Sequence, residues 1–322
     1  TIAEALAEPQ ALHRGLSYET DGVPQVASPL RLGASPPPEG KAPPVLGASV
    51  TSMDASTAKA MPGVLQILNM GDFVAVIADG YWQAQQALNT IETTYSKAEG
   101  QELDSDAIFA RYAQAMDDAG TDGGDIEIEE GDAVSALADA AKTVKADYRV
   151  PFLAHATMEP MNCTARIVDG RCDLWLGTQN PIGVRRDVAA ALGMDADDVH
   201  VENQYLGGGF GRRSITDVPI MAARLAKAAG YPVKMIWSRE EDVAQDLFRP
   251  SASTRFAAGF DAAGNLDSWT NIHVHSFDPK EAAKIKHYAI PNKLIRKVDA
   301  PTHLRFGPWR SVDQSHQGWF IE

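Results

Sequence analysis

Two periods of apolar positions run along the chain: alternation at every second residue, which marks strands, and recurrence every three to four, which marks helices. From residue 45 the pattern predicts a helix over 53–61 closed by Pro62-Gly63, then short strands over 64–68 and 73–77. A helix over 81–91 follows, with Tyr81, Ala84, Leu88 and Ile91 on one face, and then a β-prone run over 91–95. With further helices near 104–118 and 131–141, residues 45–142 read as a small mixed α/β domain. A second domain opens with a strand over 146–150 and a hairpin over 162–176, whose Asp169-Gly170 pair is a two-residue turn signal. Next come a helix over 182–192 ended by Gly193 and a strand in which Val199, Val201, Asn203 and Tyr205 alternate. That strand runs into Gly207-Gly208-Gly209-Phe210-Gly211-Arg212-Arg213-Ser214, after which Thr216 or Asp217 caps a helix with Pro219 in its first turn and Gly230 past its end. Strands are expected over 233–237, 255–260 and 266–275, the last two flanking a turn at 261–265. Residues 1–44 lack such periodicity and culminate in a Pro-rich stretch at 34–44, read as an extended arm.

At 322 residues the chain has room for two or three domains, and 44% hydrophobic residues are enough to build real cores. Its 43 Asp+Glu exceed its 29 Lys+Arg, giving a net charge of −14 that argues against nucleic acid or an anionic membrane surface as the main partner. No apolar run approaches the roughly 20 residues of a membrane-spanning helix. The acidic segment 97–142 reads as a solvated face, since its spacing does not match a calcium loop. The hairpin register sets Cys172 opposite Ile167 and Cys163 opposite Leu176, so the two cysteines fall on different rungs and no disulfide is expected. Neither belongs to a CxxC pair, which leaves no zinc site and leaves the redox compartment open. The chain starts at Thr1 with no leader and stops within the apolar run 318–322, the expected signature of a piece of something longer.

The strand, glycine-rich loop and helix at 199–229 form an anion cradle in principle, because glycines let backbone N–H groups approach a ligand near a helix N-terminus. Both nucleotide fingerprints fail: Arg212 stands where a phosphate-binding loop needs its second glycine, and Gly207, Gly209 and Gly211 are two apart with an arginine after Gly211, which does not meet the G-x-G-x-x-G spacing. Composition alone leaves a ligand loop and a tight structural turn as even alternatives. Gln179, in a loop between strand and helix, is either a donor to an oxygen ligand or a helix-cap residue. His155 and Glu159 are four apart, but Pro151 and Pro160 bracket them, which favours local hydrogen bonding over a metal pair. Arg310 is either a substrate contact or a surface arginine stacked on Trp309.

Glu159-Pro160-Met161-Asn162, Thr178-Gln179-Asn180-Pro181, the loop from Gly207 to Ser214 and Trp309-Arg310-Ser311-Val312 occur in that order. Together they resemble the molybdenum-binding large subunits of the xanthine dehydrogenase/aldehyde oxidase family, above all the branch of isoquinoline 1-oxidoreductase large subunits and related aldehyde dehydrogenases. The resemblance runs from about Val45 and does not cover the arm. It implies fold class α+β: a hammerhead-like small α/β domain at 45–142, then the N-terminal part of a molybdopterin-binding domain at 143–322, truncated, with mixed sheets and packed helices. The implied cofactor is molybdopterin with molybdenum, in bacteria usually as the cytosine dinucleotide, with [2Fe-2S] clusters on a partner subunit. By the same resemblance Gln179 hydrogen-bonds an oxo group of the metal. Gly208, Gly209, Phe210, Gly211 and Arg212 contact the cofactor through backbone amides, and Arg310 lies at the substrate pocket. The implied reaction is hydroxylation of a small aldehyde or N-heteroaromatic with water as the oxygen source.

The family's general base is a glutamate in a later part of a longer subunit, and nothing in this chain matches it; Glu322 is not in the right place. The stretch 276–300 is also shorter than in relatives. An incomplete half-site is therefore expected, needing the remaining part of the large subunit or a companion chain. Two other readings stay open at this point: an isolated structural module that binds no cofactor, and a generic anion-binding protein. Cytoplasm and periplasm are not separated, since Arg212-Arg213 lies mid-chain and is no export signal.

Overall fold

In the computed structural model, described at residues 17–20, 23–26, 48–96, 104–275, 285, 288–312 and 314–321, the chain forms two units, Thr1–Pro43 and Pro44–Glu322. In the first, Ser17–Thr20 and Val23–Val26 pair as an antiparallel hairpin within the segment that lacked periodicity. The Pro-rich stretch at 34–44 and Glu322 lie outside the described residues.

Within the second unit, the sheet that carries the candidate site has the strand order Val199–Asn203, Arg171–Leu176, Asn162–Val168, Val233–Ile236. Its central hairpin turns where the sequence signalled: Asp169 and Gly170 both adopt positive φ, 49° and 80°, as a primed two-residue turn requires. Cys172 accordingly pairs with Ile167 on the ladder, and both cysteines are free and buried. Val199–Asn203 joins Arg171–Leu176 in parallel, which needs a crossover. The helix Pro181–Leu192 supplies it, capped by the Asn180 side chain on the Gly183 amide and stopped by Gly193 in the left-handed region. Parallel pairing sets the loops that follow the two strands side by side at one end of the sheet. Val184 and Val188 of this helix, with Val218, Ala222 and Leu225 of the helix Asp217–Ala229, bury Cys163, Ala165, Cys172 and Leu174 of the sheet. Each large aliphatic side chain so buried contributes roughly 1.5–3 kcal/mol.

A five-stranded sheet stands beside it in the order Asp125–Glu130, Asn292–Val298, Leu266–His275, Ala252–Phe260, Lys142–Val150, with one parallel pair, Leu266–His275 and Asn292–Val298. Helix Ser105–Ala119 buries Ile108, Tyr112 and Met116 against Ile272 and Val274. Helix Gln314–Ile321 packs Phe320 against Ala252 and Phe256. Residues 48–96 contribute two small antiparallel sheets around Ala55, Ala58, Ala87 and Ile91, while Leu68, Phe73 and Ile77 pack on the core beneath the helix Asp217–Ala229. The mixed architecture is the α+β arrangement expected.

One local expectation is corrected. The helix predicted over 53–61 is confined to Ser56–Lys59, because Val50–Asp54 pairs with Glu92–Tyr95 and takes Met53 into a strand. The acidic run at 125–130 keeps the solvated face expected of it while forming an edge strand, in which Asp125, Glu129 and Glu130 are exposed, Glu130 pairing with Lys293 at 2.9 Å, and Ile128 packs by Ile295.

Candidate functional site

Three backbone segments meet at the end of the four-stranded sheet: 155–160, 177–180 and 204–214. Glu159 and Gly207 exchange contacts across the first and third. The Glu159 amide donates to the Gly207 carbonyl at 3.0 Å, and the Gly207 amide donates to Glu159 Oε2 at 2.9 Å. Arg213, only 1% exposed, ties all three together: Nε donates to the Gly208 carbonyl at 2.8 Å, Nη1 to Gly177 at 3.3 Å, and Nη2 to the Glu159 carbonyl and to Oε2 at 2.9 and 2.8 Å. Its own carbonyl accepts from the Gln179 amide and the Thr178 hydroxyl, both at 2.9 Å.

The loop these contacts hold has a conformation few residues tolerate. Gly208 and Gly211 sit at φ +99° and +107°, and Phe210 between them at +54°. A Cβ on Gly209 would stand 2.5 Å from Gln179 Oε1, and one on Gly211 would overlap the Pro308 carbonyl. Gln179 Oε1 accepts from the Gly211 amide at 3.0 Å. Its Nε2 donates to nothing among the described residues, nor do the consecutive amides of Gly208, Gly209 and Phe210. Four donors on and beside this half-buried loop are thus without an acceptor among the described residues, a donor set suited to an anionic, oxygen-rich group.

Behind the loop lies a buried charge network. Arg212, 1% exposed, makes a bidentate pair with Asp217 at 2.9 Å, approaches Asp246 at 3.0 Å through Nε, and lies 5.6 Å from the Trp237 ring centroid. Its amide donates to the Gly209 carbonyl at 2.9 Å. Asp246 also meets His155 Nδ1 at 3.0 Å, and His155 Nε2 meets the Pro308 carbonyl at 3.0 Å. Burial disfavours the Arg212 cation, yet Asp217, Asp246 and Asp242 outweigh it and raise its pKa. For Arg213 burial wins and lowers it despite Glu159. Burial likewise opposes ionisation of Glu159, but the hydrogen bonds from Asn162 and Gly207 and the charge of Arg213 hold its carboxyl below the ordinary range.

Of the residues singled out from sequence, the fold brings Gln179, Gly208, Gly209, Phe210, Gly211 and Arg212 together, with Arg212 facing inward. Arg310 follows Pro308, which abuts Gly211; its side chain is exposed and has no partner among the described residues. The arginine that lies over Trp309 is Arg249, 5.9 Å from the centroid, in place of the Arg310 stacking considered from sequence. Arg213, Asp246 and the bridging role of His155 were not legible, because their partners are remote in sequence; the doubled arginine after the glycines was the one available signal. Among the described residues no cluster of His, Cys, Asp or Glu could hold a metal ion directly.

Residues 117–278 match the molybdopterin cofactor-binding domain. The chain belongs to that family. This molybdopterin-binding chain is 29% identical over 313 residues to a membrane-bound aldehyde dehydrogenase (pyrroloquinoline-quinone) of Gluconacetobacter polyoxogenes, covering 86% of this chain and 40% of the relative. It is 27% identical to the beta subunit of isoquinoline 1-oxidoreductase of Brevundimonas diminuta, covering 67% and 28%, and 26% identical to one subunit of the nicotinate dehydrogenase of Pseudomonas putida, covering 70% and 18%. Among solved structures its fold matches quinoline 2-oxidoreductase of Pseudomonas putida 86 with a TM-score of 0.64 at 19% identity, covering 83% of this chain and 41% of that one. The aldehyde oxidoreductase of Desulfovibrio gigas matches with 0.63 at 18%, covering 83% and 35%. The chain therefore spans between 18% and 40% of the length of these curated relatives. No helix among the described residues is long and apolar enough to cross a membrane.

Proposed function

We propose that this molybdopterin-binding chain is part of a molybdenum hydroxylase large subunit that oxidises an aldehyde or an N-heteroaromatic compound, using water as the oxygen source. The observation that carries the proposal is the set of unused donors: the Gly208, Gly209 and Phe210 amides and Gln179 Nε2, on a loop whose glycines let Glu159, Gln179 and Pro308 pack directly against its backbone. When bound, the molybdenum centre supplies the redox chemistry. The chain's own residues bind and orient it: Gln179 and the amides donate to its oxygens, Gly211 locks Gln179 through Oε1, and Arg212 and Arg213 brace the loop from behind. Arg310 faces solvent beside the loop, free to meet substrate and steady developing negative charge.

The cytosine dinucleotide form, [2Fe-2S] clusters on a partner subunit, and completion of the site by the remainder of the large subunit or a companion chain belong to the same proposal. So does the partition into an arm at 1–44, a small domain at 45–142 and the start of the cofactor domain from 143. The names of the relatives, which include an isoquinoline and a nicotinate enzyme and an aldehyde dehydrogenase, support the substrate classes.

Gln179→Ala in the complete enzyme tests the site. Turnover is expected to fall by about 100-fold, the size of losing one preorganised donor, with the melting temperature nearly unchanged because Gln179 is exposed. Unchanged turnover would remove Gln179 from the site. Metal analysis of the same preparation separates molybdenum from pyrroloquinoline quinone as the resident cofactor.

A further inference from the structure

His155 is buried, with 1% of its side chain exposed, and both of its ring nitrogens face acceptors. Nδ1 lies 3.0 Å from each oxygen of Asp246, and Nε2 lies 3.0 Å from the Pro308 carbonyl. The backbone fixes this arrangement. Leu153 and Arg249 exchange amide-to-carbonyl bonds, which brings 153–155 alongside 246–249, and the His155 amide donates to Asp246 Oδ2 at 2.5 Å. A carbonyl oxygen can only accept. Asp246, which also receives the His155 amide and has the Arg212 guanidinium at 3.0 Å, accepts as a carboxylate. A neutral imidazole has a single N–H and would turn a lone pair on one of the two acceptors, and at 3.0 Å no water fits between them. Turning the ring over would set carbon atoms against both acceptors and leave both nitrogens buried elsewhere.

The other charges of this region stand one contact further out. Arg212 lies between Asp246 and Asp217, and Asp242 is paired with Arg239 at 2.8 Å. Arg213 and Glu159 pair with each other at 2.8 Å, and Arg249 lies over Trp309, whose ring centroid is 6.4 Å from that of His155. Among the described residues, Asp246 is therefore the one charged group hydrogen-bonded to the imidazole.

We propose that His155 is a positioning residue held as an imidazolium, a charged clasp between the network behind the glycine loop and the Pro308–Arg310 segment, and that loss of its Nε2 proton opens the clasp. Nε2 gives up its proton first because the Asp246 carboxylate holds the one on Nδ1. The Pro308 carbonyl then meets a lone pair. That same carbonyl lies against the bare Cα of Gly211, whose amide donates to Gln179, so one buried proton bears on the spacing to Arg310 and on the seat of Gln179. The bearing on turnover rests on the hydroxylase reading above; the protonation of the ring does not.

Nitrogen NMR of the 322-residue chain, labelled at its histidine rings, decides the protonation, with His155 assigned by His155→Gln and independently by its through-space contacts with Trp309. Both His155 nitrogens are expected to carry protons at about pH 7; an unprotonated nitrogen in the ring overturns the proposal. Raising the pH to about 10 should deprotonate Nε2 alone, and the Trp309 indole N–H resonance, assigned with Trp309→Phe, should shift with the same midpoint. A Trp309 signal that stays put while His155 titrates, or a ring that keeps both protons throughout, overturns the clasp. In the complete enzyme, kcat/KM should fall about tenfold across that midpoint, the worth of one hydrogen bond to a charged group, and this limb should be missing in Arg310→Met. A limb that Arg310→Met leaves unchanged overturns the link to Arg310. If the wild type turns over neither an aldehyde nor an N-heteroaromatic, the hydroxylase reading is what fails, and the NMR titration still decides the clasp.

Discussion

The carboxylate of Glu159 accepts from Asn162, from the Gly207 amide and from Arg213, so its charge closes the ring of contacts that fixes the entry to the glycine loop. Because its folded pKa lies below the ordinary 4.5, the stabilisation is fully present above that value and is lost as pH falls through the lowered one. Glu159→Gln should therefore cost on the order of 1 kcal/mol near neutral pH, kept small because the side chain is 37% exposed and screened. Urea melts of the two proteins should converge well below pH 4.5; a constant difference across pH would show that shape alone, without charge, makes the contact. At this level the sequence was partly readable. The glycines and Gln179 announce themselves by type and by position between strand and helix. The residues that hold them do not: Arg213 finds Glu159 at a separation of 54, and His155 finds Asp246 at 91, distances over which no local pattern operates.

Between elements, the buried relay Asp217, Arg212, Asp246, His155, Pro308 carbonyl connects the helix Asp217–Ala229 to the segment that carries Arg310. It spans the gap that Gly211 leaves for the Pro308 carbonyl, and so sets the spacing between the glycine loop and Arg310. If His155 acts by positioning that segment, its loss should matter only while Arg310 is present. His155→Gln, which retains one side-chain donor group for two acceptors, is expected to lower kcat/KM about tenfold in the wild type and less than twofold in an Arg310→Met background. Equal losses in both would make His155 a purely structural group. The strands framing this relay were legible where alternation or turn chemistry was strong, as in Asn162–Val168 and Arg171–Leu176 with Asp169-Gly170 between them. Asn292–Val298 was missed because its Lys293, Arg296 and Lys297 interrupt the apolar pattern; Lys293 and Arg296 are nonetheless buried, Lys293 against Glu130 and Arg296 on the carbonyls of Gly120 and Gly123. The helical reading of 53–61 failed for the converse reason, a local preference overridden by pairing with Glu92–Tyr95.

On the whole molecule, the surface around the donors is unusual for its apolar content. Met158 is 89% exposed, Tyr205 102%, Leu206 42% and Phe210 40%, and they flank the Glu159–Gly207 pairing and the glycine loop from either side. Exposed apolar groups so grouped mark a surface that something covers, and the chain spans at most 41% of the relatives compared above. In the proposed large subunit the remaining residues and the cofactor would close over this rim, excluding water from the donors and strengthening each of them. Peroxide oxidation of Met158, followed by peptide mass spectrometry, gives the check. In the isolated chain Met158 should be oxidised as fast as a free methionine, and in the complete, cofactor-loaded subunit several-fold more slowly. The nearly buried Met161, 3% exposed and three residues on, serves as the internal control that stays slow in both. Equal rates for Met158 in chain and complete subunit would mean the rim stays open in the assembled protein, and the donors would then have to act in water, where each is worth far less.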